Sequence, residues 1–343
     1  MMRRRGWTIG ARVAGITCAA LWLAACGGPQ QAPAEDPLVA DPPAGSDEGA
    51  SKGAAGTELN RGVAYIKNER YEEAKAHLQK ALELKPGSAE AAYYLGLASE
   101  KTGDRAGAEA SYKRALKSDP ALAEAAVNLG AIYLEDPPRP DDAIAVLKPA
   151  LAKAADPVSL HQNLAYAYGL KKDYASAGKH YEAALAKGER TELRFAYGAM
   201  LLEAKDPDGA SVQLKQALAS APDDPALLAS IGRMLGPVKA YAECVKAFDR
   251  AIKLKPEVAE LYVRRGTCRH ELKDEQGART DYEAAIKADP KFAPAHYYLG
   301  MSFLVRQKPQ SARAAFQQAA KHGQGTEIGA RASEKLKALG KAK

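Results

Sequence analysis

Small and large apolar residues recur along this chain on a fixed pattern. A small residue is followed by Leu or an aromatic four positions later and by Ala seven positions later, as in Ala74, Leu78 and Ala81. Spacings of four and three put such side chains on one face of a helix. The set returns at Ala108, Tyr112 and Ala115, at Ala143, Leu147 and Ala150, and at Ala177, Tyr181 and Ala184. It returns again at Ala210, Leu214 and Ala217, at Cys244, Phe248 and Ala251, at Ala278, Tyr282 and Ala285, and at Ala312, Phe316 and Ala319. In five of the eight a proline follows twelve positions after the anchor (Pro86, Pro120, Pro222, Pro256, Pro290), where it stops the helix. A glycine stands twelve before six anchors, at Gly62, Gly96, Gly198, Gly232, Gly266 and Gly300, inside a second apolar stretch. Gly130 is one residue further from its anchor, and Ala165 substitutes in the fourth set. The anchors are spaced by 34, 35, 34, 33, 34, 34 and 34 residues, so one insertion and one deletion cancel. The pattern predicts eight pairs of helices over residues 55–326.

A period of this length marks a repeat architecture. These residues resemble the tetratricopeptide repeat (TPR). The resemblance implies an all-α fold: a solenoid of eight helix-turn-helix repeats, forming a right-handed superhelix. Its small residues would sit where the two helices of a pair cross. Two departures are expected to loosen their units, Arg61 and Arg265, each at a slot that usually holds a large apolar residue. Pro137, Pro138 and Pro140 in the inner turn of the third repeat predict a rigid surface protrusion. Beyond 326, Ile328, Ala332, Leu336 and Leu339 line one helical face, with Glu334, Lys335 and Lys337 between them. Residues 327–343 are therefore expected to form a capping helix and tail over the last repeat.

The first 54 residues break the pattern. Met1-Met2-Arg3-Arg4-Arg5 is a basic start, followed by an apolar run that ends in Leu23-Ala24-Ala25-Cys26. A basic start, an apolar run and small residues before a break make a secretory signal. The final four residues resemble the lipobox of bacterial lipoproteins, which implies a signal peptide over 1–25 and acylation of Cys26. The alternatives are an ordinary cleaved signal with an incidental cysteine and an uncleaved anchor helix. Residue 27 is Gly, not the Asp that such lipoproteins often carry for inner-membrane retention. The implied address is the outer membrane, with the repeats facing the periplasm. Residues 26–54 are rich in Pro and Gly and are expected to be a linker.

The net charge is +7, but acids and bases alternate along the predicted helices. That is an ion-paired, solvated surface, not a stripe that tracks phosphates, and it argues against nucleic-acid binding. No His-Glu-x-x-His, Gly-x-Ser-x-Gly or phosphate loop is present, so no enzyme, metal or cofactor is expected. The six histidines are scattered without metal-ligand spacing. Cys244 and Cys268 hold small-residue slots in neighbouring helices. Two buried free thiols are the preferred reading, with a disulfide as the alternative that an oxidising compartment would permit.

The first helix of each pair has an arc opposite its core, which in the family lines a concave groove. Eleven of the sixteen tyrosines fall in core slots, whereas Tyr93, Tyr94, Tyr166, Tyr297 and Tyr298 fall on the groove arc. Phe195, Leu97, Val127 and Met301 share it, as do Asn60, Asn128 and Asn163, whose amides can both donate to and accept from a bound peptide backbone. Aromatic clusters of this kind mark binding surfaces, and the alternative is packing against adjacent helices. Asn without duty on a helix surface is the alternative for the three amides. These residues make a candidate groove for protein or peptide segments of the envelope. The expected function is a lipid-anchored scaffold that binds and positions envelope proteins. Anchor plus repeats is similar to TPR pilotin lipoproteins, which implies help in assembling an outer-membrane machine such as a type IV pilus secretin or motility complex. An adaptor that docks peptidoglycan enzymes or proteases is the alternative.

Overall fold

The computed structural model describes residues 47–135, 137–188 and 190–341. The expected signal peptide, Cys26 and most of the linker lie outside them. Among the described residues there are seventeen α-helices and no strand, and none of the helices is long and apolar enough to cross a membrane. The chain divides into two compact units at residue 188.

The first unit holds α1 (Asp47–Lys67), α2 (Tyr71–Leu84), α3 (Ala89–Lys101), α4 (Arg105–Ser118), α5 (Ala123–Leu134), α6 (Pro140–Leu151), α7 (Val158–Leu170) and α8 (Tyr174–Leu185). Each odd helix pairs with the next, and each pair packs on the following one. The first helix begins at Asp47, so residues 47–54, expected to be linker, are helical instead. Gly53 lies in this extension with open space around it, so packing does not explain its place there.

The second unit holds α9 (Thr191–Glu203), α10 (Pro207–Ser220), α11 (Pro225–Leu235), α12 (Tyr241–Leu254), α13 (Ala259–Glu271), α14 (Glu275–Ala288), α15 (Ala293–Val305), α16 (Pro309–His322) and α17 (Glu327–Lys341). Helices α9 to α16 make four pairs. The last helix caps them: Ala332 is fully buried, and Ile328, Leu336 and Leu339 pack against a cluster around Phe316. The Arg313 guanidinium donates to the Leu339 carbonyl and fixes the end of the cap.

One contact explains why the sequence spacing produces these pairs. A Cβ at Gly96 would lie 2.5 Å from the Tyr112 ring, and one at Gly232 would lie 2.8 Å from the Phe248 ring. The large residue of the second helix thus occupies the space that the first helix leaves by having no side chain. Adding a methyl there would force a shift, costing about 1–3 kcal/mol in a packed core. The turns between paired helices also share a device. Glu69, Gly103, Lys172, Lys205, Lys239, Lys273 and Gln307 all have positive φ, each one residue before the N-cap of the second helix. At four of these turns the N-cap is an Asp that accepts from a backbone N–H three residues on: Asp104 from Gly107, Asp173 from Ser176, Asp206 from Gly209 and Asp274 from Gly277. Such a cap contributes about 1 kcal/mol.

The inner turn of the third repeat departs from this device. Pro137 and Pro138 are exposed, and Arg139 ties the turn down. Its guanidinium lies 4.2 Å from the centre of the Tyr133 ring and donates to Glu109 Oε2 at 2.7 Å. The Arg139 and Lys113 partners lower the Glu109 carboxyl to about 2.

Two expectations are corrected. Arg61 and Arg265 do not loosen their units: a Cβ at the adjacent Gly62 would sit 2.5 Å from Leu78, and one at Gly266 would sit 2.6 Å from Tyr282. Arg61 lies 3.3 Å from Glu58, so its charge is met at the edge of the pair. Arg265 is met more fully. Its Nε donates to both oxygens of Asp281 at 3.0 and 3.2 Å, and its Nη1 donates to Asp249 at 2.6 Å. Arg269 adds a contact to Asp281 at 3.0 Å, and Asp281 itself is only 1% exposed. An ion-paired guanidinium thus fills the slot of the usual large apolar residue. The second correction is covalent. Cys244 and Cys268 are not free thiols: a disulfide joins α12 to α13, with the Cα atoms 6.2 Å apart. The ordinary separation for a bridged pair is about 5.5–6 Å.

Candidate functional site

The groove-arc residues do not form one exposed surface. In the first unit, Asn60 is exposed on α1, whereas Tyr93, Tyr94, Leu97, Val127, Asn128 and Tyr166 are half-buried. Asn163 is buried, at 1% exposure. Its Nδ2 donates to the Val127 carbonyl at 3.0 Å, so the amide expected to hold a partner's backbone holds α5 instead. Its Oδ1 is buried and has no hydrogen-bond partner. Asn128 is also engaged. Its Nδ2 donates to the Tyr112 hydroxyl at 3.1 Å, and that hydroxyl donates to Glu100 Oε2 at 2.9 Å. A polar chain, Glu100 to Tyr112 to Asn128, thus links the second and third pairs. Burial, and after it the Glu100 carboxylate, pushes the Tyr112 hydroxyl far above its ordinary value. The expected peptide-holding amides at 128 and 163 are therefore corrected to packing amides.

In the second unit, Phe195 is buried on α9 and Tyr297 on α15. The capping helix takes up the rest: Tyr298 and Met301 pack against the same cluster as Ile328, Leu336 and Leu339. Phe195 and Tyr297 are corrected from exposed anchors to core. The physical reason is that the arc of one helix is covered or left open by the helices of adjacent repeats, which the slot alone does not specify.

A cleft opens at the junction of the second and third pairs. Tyr93 and Tyr94 are adjacent on α3, with ring centres 5.2 Å apart and planes inclined by 59°. Tyr93 rests on the Tyr112 ring at 6.0 Å and packs against the main apolar cluster of this unit. Tyr94 packs towards the first pair, around Leu78. The two rings face a cleft of about 480 Å³, completed by Ala89, Glu90, Asp119, Leu122 and Glu124. Burial, then the nearby Glu124 carboxylate, raises the Tyr93 hydroxyl above its ordinary value.

The scattered histidines also meet. His161 on α7 and His180 on α8 have their Nδ1 atoms 2.8 Å apart, and Tyr168 stacks on His180 at 5.5 Å. Burial lowers both rings, helped by Lys187 at His161 and by His161 and Lys148 at His180. The signal was a spacing of nineteen residues, which joins facing slots of one helix pair; His77 and Glu58 share it at 2.6 Å. Among the described residues, no group of three or more His, Cys, Asp or Glu is placed to hold a metal.

The family model described as tetratricopeptide repeat matches residues 59–123, 100–158, 241–291 and 276–326, together more than half of the chain. The chain belongs to the tetratricopeptide repeat family. TPR units are scaffolds for protein–protein interaction, and α8 to α11 continue the helix pairs between the matched stretches. Among solved structures, PilW, described as a widely conserved type IV pilus biogenesis factor, is similar with a TM-score of 0.52 at 16% identity, over 59% of this chain and 94% of that one. PilF of Pseudomonas aeruginosa matches at 0.49 and 21% identity, over 60% of this chain and 94% of that one. Yeast Tom70 matches at 0.45 and 18% identity, over 83% and 64%. These are likenesses of fold. No curated protein sequence matches the chain.

Proposed function

We propose that this TPR protein is a lipid-anchored scaffold of the bacterial envelope, held in the outer membrane through Cys26 with its repeats in the periplasm. The observation that carries the reading is Leu23-Ala24-Ala25-Cys26, a lipobox-like stretch placed ahead of a repeat array. The Cys244–Cys268 disulfide supports it independently, because such bonds persist in oxidising compartments and are rare in a reducing cytosol. The scaffold binds and positions other envelope proteins, and we assign it to assembly of an outer-membrane machine such as a type IV pilus secretin or motility complex. That finer role starts from the combination of anchor and repeats.

The address is tested with Cys26→Ala. Labelled palmitate should enter the wild-type chain and not the variant, and the variant should leave the membrane pellet or remain unprocessed. A variant that labels and pellets like wild type overturns the anchor. Pull-down from detergent-solubilised envelopes tests the role: secretin or motility components are expected, and cell-wall hydrolases in their place would move the scaffold to peptidoglycan.

A further inference from the structure

The cleft at the junction of the second and third pairs brings three carboxylates together. Glu90 opens α3, Asp119 precedes the turn into α5, and Glu124 opens α5. Among the described residues no ion pair joins any of the three to a base. In α13 the same slot is neutralised: Glu260, in its first turn, bonds Arg264 four residues on at 3.1 Å. Four residues after Glu90 stands Tyr94, and four after Glu124 stands Asn128, so neither glutamate has a base one turn on. The neighbouring guanidinium, Arg114, is turned to the carbonyls of Leu82 and Pro86. Asp119 Oδ1 accepts from the Ala121 N–H.

Acids at helix starts are ordinarily explained by the helix dipole. Two helix N-termini supply together about one positive charge, against three carboxylates, so the cleft stays negative by about two charges. The dipole also does not explain the floor. Tyr93 and Tyr94, with Leu122 and Ala89, line the same cleft with aromatic and apolar surface, and Tyr93 rests on the Tyr112 ring. The volume falls within the range of about 300–1,000 Å³ typical of ligand clefts.

We infer that this cleft takes an arginine side chain from a basic segment of a partner polypeptide. A guanidinium is planar, stacks on aromatic faces and pairs with carboxylates through two parallel N–H donors, so it fits floor and rim together. An acidic or phosphorylated segment meets three unpaired carboxylates and is repelled. The inference rests on the scaffold role proposed above and adds the chemistry of what one junction of the scaffold recognises.

The test uses the full chain in detergent. It is titrated with an acetylated, amidated peptide of three Gly-Arg units and with its Gly-Ser and Gly-Glu counterparts. The Gly-Arg peptide should bind more tightly than the Gly-Ser peptide, and the Gly-Glu peptide should not bind. Added salt should weaken the binding, since rim charges are screened over about 10 Å at 0.1 M. The variant Glu90→Gln/Glu124→Gln keeps the shape and should bind the Gly-Arg peptide about tenfold more weakly, with an unchanged Tm. Tyr94→Phe should retain binding, because the face of the ring is kept, and Tyr94→Ala should weaken it. Unchanged affinity in the double Gln variant overturns the inference, as does binding of the Gly-Arg and Gly-Ser peptides alike. Equal binding leaves the scaffold reading standing, whereas failure of envelope capture with the cleft still selective for arginine removes the scaffold reading alone.

Discussion

The third and fourth pairs of the first unit and the sixth and seventh pairs of the second are built on one slot pattern and joined by different chemistry. In the first unit the contact between α5 and α7 is an amide on a carbonyl, Asn163 to Val127, and α7 meets α8 through two neutral histidines. In the second unit α12 is fixed to α13 by a disulfide, and Arg265 gathers Asp249 and Asp281 across three consecutive helices. The backbone geometry tolerates either solution because the close approach is set elsewhere, by a glycine facing a large residue, as at Gly96 and Gly232. What differs is the failure mode. The histidine contact fails when a ring is protonated, and the ionic and covalent ones fail by removal of a partner.

The largest effect should follow Asp281→Ala. It leaves two guanidiniums without the carboxylate they share, and breaking a buried pair in this way costs about 3–5 kcal/mol. In a repeat protein the damage stays near its origin. Hydrogen exchange should show lost protection in α12 to α15 and little change in α3 to α6. Equal loss in both units would break the comparison. Reducing the disulfide comes next. A loop of 24 residues is closed by it, and freeing such a loop costs about 3 kcal/mol on the chain-entropy model. Denaturant melts with and without reductant should differ in the transition of the second unit, and Cys244→Ser/Cys268→Ser should remove the difference.

The smallest effect concerns the histidine pair. Both rings are lowered in the folded chain from an ordinary value of 6.5, chiefly by burial. The unfolded chain therefore binds protons first as pH falls. Stability from the pair is present above pH 6.5 and is lost progressively below it. With the rings partly solvated, the loss between pH 7 and 5 should be about 1 kcal/mol. Urea melts of wild type and of His161→Gln/His180→Gln at the two pH values measure it. A variant that keeps the full pH dependence would show that the pair is not its source.

The helix pairs were legible in the sequence because each is set by local spacings: Gly62 against Leu78, Gly96 against Tyr112, Gly232 against Phe248. The capping face was legible for the same reason, from Ile328, Ala332 and Leu336. The groove was not. Asn128 and Asn163 lie on the outward arc of their helices, yet each is consumed by the neighbouring repeat, and Tyr297 is covered by the cap. Exposure on that arc depends on where the helices of adjacent repeats fall, which no single repeat encodes. The Arg265–Asp281 pair had a readable signal, opposite charges in facing slots sixteen residues apart, as Gly266 and Tyr282 are. It was masked by the expectation that an apolar slot filled by Arg must be a weak one. The tyrosine cleft was half legible: the sequence placed the rings, and only the structure placed Glu90, Asp119 and Glu124 around them.

The position of the disulfide bears on the order in which the second unit can assemble as the chain is delivered from its N-terminus. The bond needs only the second helix of one repeat and the first helix of the next, and both cysteines have emerged before residues 269–343 follow. With the signal removed and Cys26 acylated, as proposed above, Cys244 and Cys268 have each other as their one intramolecular choice. The joint between α12 and α13 can therefore close while the cap is still missing, giving α14 a fixed edge on which to dock. A repeat array is most exposed to misassociation while its end is uncovered, and a covalent joint ahead of the last repeats shortens the stretch that must remain open.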